Sequence, residues 1–117
     1  MNTVEKIHSK RKFVSITPEG HSFEGYYLDY YMLKSEIKIP NSNIKATVYG
    51  IEIEKKYSEN GVEKLLEHAK MDDIFVSSEY AHSFIASLAK RHITPSSLRY
   101  IVEDLFSENG YEPPEVT

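Results

Sequence analysis

Apolar side chains recur every second residue through the first half of the chain. Between Phe23 and Leu33 the even positions Tyr26, Leu28, Tyr30 and Met32 form one apolar face. The odd positions Tyr27, Asp29 and Tyr31 form a more amphipathic one. Period two is the signature of a strand, and the aromatic enrichment agrees with it. Tyr26 and Tyr30 are expected in the core. Tyr49, Ile51 and Ile53 alternate with Gly50, Glu52 and Glu54, which predicts a second strand over 46–57. Residues 3–16 carry Val4, Ile7, Phe13, Val14 and Ile16 among charges and read as a further strand.

Turn chemistry separates these runs. Thr17-Pro18-Glu19-Gly20 has proline where φ is pre-set and glycine where a type I turn accepts it. Pro40-Asn41-Ser42-Asn43 marks a loop within 34–45. Asn60-Gly61 is a strong hairpin cue. The stretch after it is ambiguous: Val62, Leu65, Leu66 and Ala69 fit a helix stripe. The Asn-Gly turn argues that residues 62–70 instead pair back as a strand, and that reading is preferred.

The last third changes period. Ser77 or Ser78 caps a helix over 78–91 whose apolar face is Ala81, Phe84, Ile85, Leu88 and Ala89. Thr94 suits an N-cap and Pro95 the first helical position, which opens a second helix over 95–107. Leu98, Ile101, Val102, Leu105 and Phe106 repeat at three-four spacing, and Asn109-Gly110 ends the pattern. Strands followed by helices predict an α+β fold: an antiparallel meander of three to four strands with two C-terminal helices packed on one face. A single domain over 1–112 with a frayed tail over 113–117 is expected.

Composition narrows the function classes. The chain has 117 residues, 40% hydrophobic and 27% charged, with no cysteine. These are globular values, and thiolate metal sites and disulfides are excluded. No apolar run approaches the ~20 residues of a membrane helix. The N-terminus shows no apolar signal region, so a cytoplasmic protein without a membrane partner is expected. Net charge is −4 and unevenly placed. Lys6, Lys10, Arg11 and Lys12 face only Glu5 in the first 14 residues, whereas 101–117 carries acids alone. Nucleic acid is disfavoured, because it needs those cations joined to Lys34, Lys38 and Lys45 in one patch.

No catalytic motif stands out. Glu79 and His82 have the Glu-x-x-His spacing of di-metal bundles, but only one copy is present. His68 with Asp72-Asp73 lacks calcium-loop spacing and reads as a turn before a helix. Ser96 and Ser97 read as helix-start residues, His92 as a helix-end cation, and Glu103-Asp104 as a solvated face. The glycines form neither a phosphate loop nor a dinucleotide fingerprint. No catalytic residue, metal or cofactor is expected.

The oddity is nine tyrosines with no tryptophan. Tyr27 and Tyr31, with Asp29 between them, form a candidate interaction surface if their sheet face is open. Otherwise the 34–45 loop or a partner strand covers them. No basic residue lies beside the pair in sequence, which weighs against RNA stacking.

Tyr49-Gly50-Ile51-Glu52-Ile53 is one distinctive stretch. Ile93-Thr94-Pro95 followed by Leu98, Ile101, Val102, Glu103, Asp104 and Leu105 is another. Together they resemble a family of small bacterial proteins, a domain of unknown function from anaerobic spore-forming Gram-positive bacteria. The resemblance covers most of the chain and implies a cytosolic bacterial protein. It carries over no catalytic residue, and the 34–45 loop looks longer here than in that family. The expected role is a non-enzymatic protein-interaction module, its partner another protein or a second copy in a homodimer. The alternative is a small-ligand-binding domain, or an enzyme whose site is built from scattered polar residues.

Overall fold

The computed structural model describes residues 4–15 and 25–109. The sequence-predicted 17–20 turn, the Gly110 stop and the 113–117 tail lie outside the described residues. Four strands, β1 (Val4–Ser15), β2 (Gly25–Lys38), β3 (Lys45–Glu59) and β4 (Val62–Phe75), form one antiparallel sheet in the order β1-β2-β3-β4. Helices α1 (Ser78–Lys90) and α2 (Leu98–Asn109) follow, joined by a 3-10 turn over Pro95–Ser97. This is the expected α+β meander.

The even face of β2 builds the core. Leu28, Tyr30 and Met32 pack with Ile51 and Ile53 of β3 and with Ile74 and Phe75 of β4. From the helices come Ala81, Ile85, Leu88, Ala89, Leu98 and Val102. Each of the Val, Leu, Ile, Met and Phe side chains among them contributes about 1.5–3 kcal/mol on burial. Tyr30 is fully buried, and its hydroxyl donates to the Ile93 carbonyl at 2.7 Å, tying the sheet to the chain leaving α1. Tyr26 is half-buried against this core.

The β3–β4 connection confirms a strand over 62–70. Asn60 (φ 53°) and Gly61 (φ 80°) both take the left-handed conformation that a two-residue hairpin turn requires. The helix stripe in Val62, Leu65 and Leu66 finds no core here, and all three are exposed.

Three expectations need correction. Residues 34–38 belong to β2, so the loop is only 39–44. Leu33, Ser35 and Ile37 are buried and alternate with exposed Lys34, Glu36 and Lys38, so period two runs to the end of the strand, with the buried side passing from the even to the odd positions after Met32. Asp72 and Asp73 lie within β4 rather than in a turn before the helix. The ladder is irregular there: its register shifts between Tyr49 and Ile51, and Asp73 has φ 55°. A Cβ on Gly50 would run into the Met71 carbonyl, so the absence of a side chain lets β4 approach. Finally, α2 starts at Leu98, because Pro95–Ser97 closes a tighter turn through Ser97 N–H to the Thr94 carbonyl at 3.1 Å. Thr94 makes no side-chain cap; its hydroxyl meets that of Ser96 at 3.2 Å.

Helix α1 has defined ends. Ser77 Oγ accepts from the Tyr80 N–H at 3.1 Å. At the other end Ile93 N–H donates to the Leu88 carbonyl and His92 N–H to the Ala89 carbonyl, a Schellman pair. His92 occupies the left-handed position (φ 53°) that glycine usually fills. Replacing His92 with glycine therefore removes Cβ strain of about 1–2 kcal/mol. Part of that gain is offset by the greater freedom of glycine in the unfolded chain. His92→Gly is expected to raise the urea midpoint modestly. A lower midpoint would show that the imidazole makes a compensating contact.

Candidate functional site

The side of the sheet away from the core cluster carries the odd positions of β2, and the ladder extends each into a row across the strands. Phe13, Tyr27, Lys56 and Leu65 form the row nearest the Asn60-Gly61 hairpin. Arg11, Asp29, Glu54 and His68 form the next, and His8, Tyr31, Glu52 and Lys70 the one after. Carboxylates occupy the middle strands and cations lie mostly toward the edges. Side chains directly opposite on one face interact, so this is an electrostatic lattice written into the register.

Its centre is Asp29, only 1% exposed. Arg11 grips it in a fork, Nε to Oδ1 and Nη2 to Oδ2, both at 2.8 Å. His8 Nε2 lies 2.9 Å from Oδ1, and Lys56 Nζ lies 3.1 Å from Oδ2. Burial alone would raise the Asp29 pKa. The hydrogen bonds from Arg11, His8 and Lys56 outweigh it and hold the carboxyl well below the usual range. The same contacts raise the pKa values of Arg11 and of Lys56, the latter against its own partial burial.

The lattice extends outward from there. Arg11 also reaches Glu63 of β4, with Nη1 2.8 Å from Oε2. Lys6 bridges Glu52 at 3.3 Å and Glu54 at 3.0 Å. Glu54 also holds Lys56 at 3.2 Å. Burial works to raise the Glu54 pKa, but Lys6, Tyr31 and Lys56 lower it overall.

Tyr27 and Tyr31 stand on this face on either side of Asp29, both half-buried. Contrary to the reading from sequence neighbours, basic residues accompany both. The Arg11 guanidinium lies 4.5 Å from the Tyr27 ring centre, and Lys6 Nζ lies 4.3 Å from that of Tyr31. Phe13 packs tilted against Tyr27 at 5.1 Å, and His8 meets Tyr31 edge-on at 5.2 Å. Lys56 Nζ donates to the Tyr31 hydroxyl at 3.3 Å. Of the three residues singled out from sequence, Asp29 lies beneath the surface, while the two rings reach it.

The strand pattern missed Lys6, His8 and Arg11, and the cause is a bulge. The register slips between His8 and Lys10, so Ser9 is an extra residue. Before it the even positions face the lattice; after it the odd positions do. By contrast Glu52 and Glu54 were legible as the polar positions that alternate with Ile51 and Ile53.

The remaining candidates are scattered. Glu79, His82, Glu103 and Asp104 are exposed, Ser96 and Ser97 lie in the 3-10 turn, and His68 is exposed at the β4 end of the Asp29 row. Among the described residues no three His, Asp or Glu side chains are arranged to hold a metal ion. Lys38 lies eight residues along β2 from Tyr30, the partner of Lys10, or roughly 26 Å at strand rise. The N-terminal cations and Lys38 therefore do not form one patch. A hollow of about 300 Å³ is lined by Glu5, Lys34, Ser35 and Glu36, without an aromatic side chain. Among the described residues no helix is long and apolar enough to cross a membrane.

Residues 10–108 match the model of a family of unknown function, DUF6514, and the chain belongs to that family. No curated protein and no solved structure matches it.

The lattice makes stability depend on acid. Because the folded-state pKa of Asp29 is depressed, its contribution is fully present above the unfolded carboxyl value of about 3.9. It is lost as pH falls through the lower folded value. Asp29→Asn is expected to cost roughly 2 kcal/mol at pH 7. That is less than a fully enclosed pair, since Arg11 and His8 retain access to water. Urea titrations should show the gap between variant and wild type closing below about pH 4. A gap constant down to pH 2 would place the cost elsewhere than in the ionised carboxylate.

Proposed function

We propose that this DUF6514 member is a non-enzymatic protein-interaction module of the bacterial cytosol, and that it docks through the second face of its sheet. The observation that carries this is the row Phe13–Tyr27–Lys56–Leu65. Phe13 is 50% exposed and Leu65 51%, and between them lie a tyrosine and a lysine stem. Leu66, the unpaired residue where the β3–β4 register shifts, is exposed next to Leu65 on the edge strand. Exposed aromatic and aliphatic groups rimmed by charge are what a protein contact buries. Tyr27 and Tyr31 supply rigid rings to this surface, and Asp29 holds the Arg11, His8 and Lys56 groups that touch them.

The alternative, a small-ligand site or an enzyme built of scattered polar groups, needs acids and bases left free to converge on a substrate. On this face Asp29, Glu52 and Glu54 are committed to Arg11, His8, Lys6 and Lys56. Among the described residues no buried side-chain nitrogen or oxygen lacks a partner. A second copy of the chain and an unlike protein are both partners for this surface.

The test is Phe13→Ser combined with Leu65→Ser. Both side chains are half in water, so the pair should change unfolding free energy by no more than about 1 kcal/mol. Association, followed by light scattering for self-association and by cross-linking in the native cell for other partners, should fall by about tenfold or more. Unchanged association in both assays, with the fold intact, would remove this surface from the account.

A further inference from the structure

Strand β1 is a sheet edge: β2 pairs along one side, and among the described residues no strand pairs along the other. A bare edge offers unpaired N–H and C=O groups to an incoming strand. β4 is the opposite edge, and charge distinguishes the two. On β4, Lys64 lies 3.5 Å from Glu59 and Lys70 lies 3.9 Å from Asp72. On β1, Lys10 and Lys12 have no carboxylate within ion-pair distance among the described residues. The Ser9 bulge sets both on the helix-bearing face, opposite Tyr30 and Leu28. Lys55, the partner of Leu28 on β3, adds a third cation two strands in from the edge and sits 4.3 Å above the Tyr26 ring.

We propose that the β1 edge takes up an extended acidic peptide as a fifth strand, with carboxylates at alternate positions facing Lys10 and Lys12. The two lysines are two residues apart, about 6.6 Å along the strand, and acidic residues at i and i+2 of an extended peptide have the same spacing. Main-chain hydrogen bonds along the edge supply affinity, and the alternating charges supply selection. Charge also decides against a second copy at this edge. Antiparallel pairing of two β1 strands sets Lys10, Arg11 and Lys12 against each other's cations, and like charges opposite one another are unfavourable. Nucleic acid is disfavoured because Lys38 lies at the far end of β2. The two surfaces share strand β1, but this proposal uses its main chain with Lys10 and Lys12 and does not need the rings or Leu65, so it does not rest on the reading above, and either can fail alone.

The experiment is fluorescence anisotropy of the full chain with a labelled short peptide that alternates Glu and Thr. Binding that weakens with salt is expected. Lys10→Glu with Lys12→Glu should lower affinity by about tenfold or more, whereas Leu65→Ser, on the opposite edge strand β4, should leave it unchanged. Hydrogen exchange should slow in β1 and not in β4. Methylation of the peptide's alternate amide nitrogens on its pairing edge should abolish binding. No binding of the peptide, equal binding of the methylated peptide, or equal binding by the charge-reversed protein would each overturn the proposal. Oligothymidylate binding through the same lysines in place of the peptide would overturn it in favour of nucleic acid.

Discussion

A carboxylate buried in a sheet face is expensive unless it is paired and hydrogen-bonded. Asp29 sits on a central strand at 1% exposure, and its partners come from both neighbours: Arg11 and His8 from β1, Lys56 from β3. A slip of one residue in either ladder would turn the partner side chains to the other face and leave the charge unanswered. One group therefore fixes the relative position of three strands. Once β1, β2 and β3 are held in that register, Leu28, Tyr30 and Met32 meet Ile51 and Ile53 on the other side, where α1 and α2 cover them.

The two faces divide the work. The helix-bearing face supplies most of the burial, and that force is non-directional. It would tolerate several alignments of alternating apolar strands. The second face supplies direction: its ion pairs gain little individually where they reach water, but they penalise wrong registers. Arg11 shows the economy of the design, serving Asp29, Glu63 and the Tyr27 ring at once. Its planar fork suits that role better than an ammonium would. Arg11 lies over the Tyr27 ring, and Lys6 and Lys56 lie over that of Tyr31, so the lattice also restrains both rings.

Much of this architecture was legible in the residues. Period two in β2 and β3, the Asn60-Gly61 turn and the three-four spacing of α1 and α2 each led to the observed element. The choice of a strand over a helix for 62–70 rested on the turn, and the left-handed φ values of Asn60 and Gly61 show why that was decisive. What stayed hidden was non-local. The bulge at Ser9 reverses which side chains of β1 face the lattice, and no periodicity reveals one extra residue. Pairings such as Arg11 with Asp29 depend on register, which one sequence does not print. The 34–38 segment was misread because Lys34, Glu36 and Lys38 gave it a polar look, although Leu33, Ser35 and Ile37 kept the alternation. Tyr27 and Tyr31 were visible as candidates, but the cations beside them came from other strands.

The function proposed for the second face inherits its geometry from the Asp29 lattice, so the coupling between strands is the claim to test. A double-mutant cycle with Arg11→Ala and Asp29→Asn, read by urea unfolding at pH 7, measures it directly. The account predicts that the double variant is more stable than the sum of the two single losses by about 1.5 kcal/mol or more, since either change alone already breaks the pair. Losses that add within about 0.5 kcal/mol would contradict it, because Arg11 and Asp29 would then stabilise the fold independently.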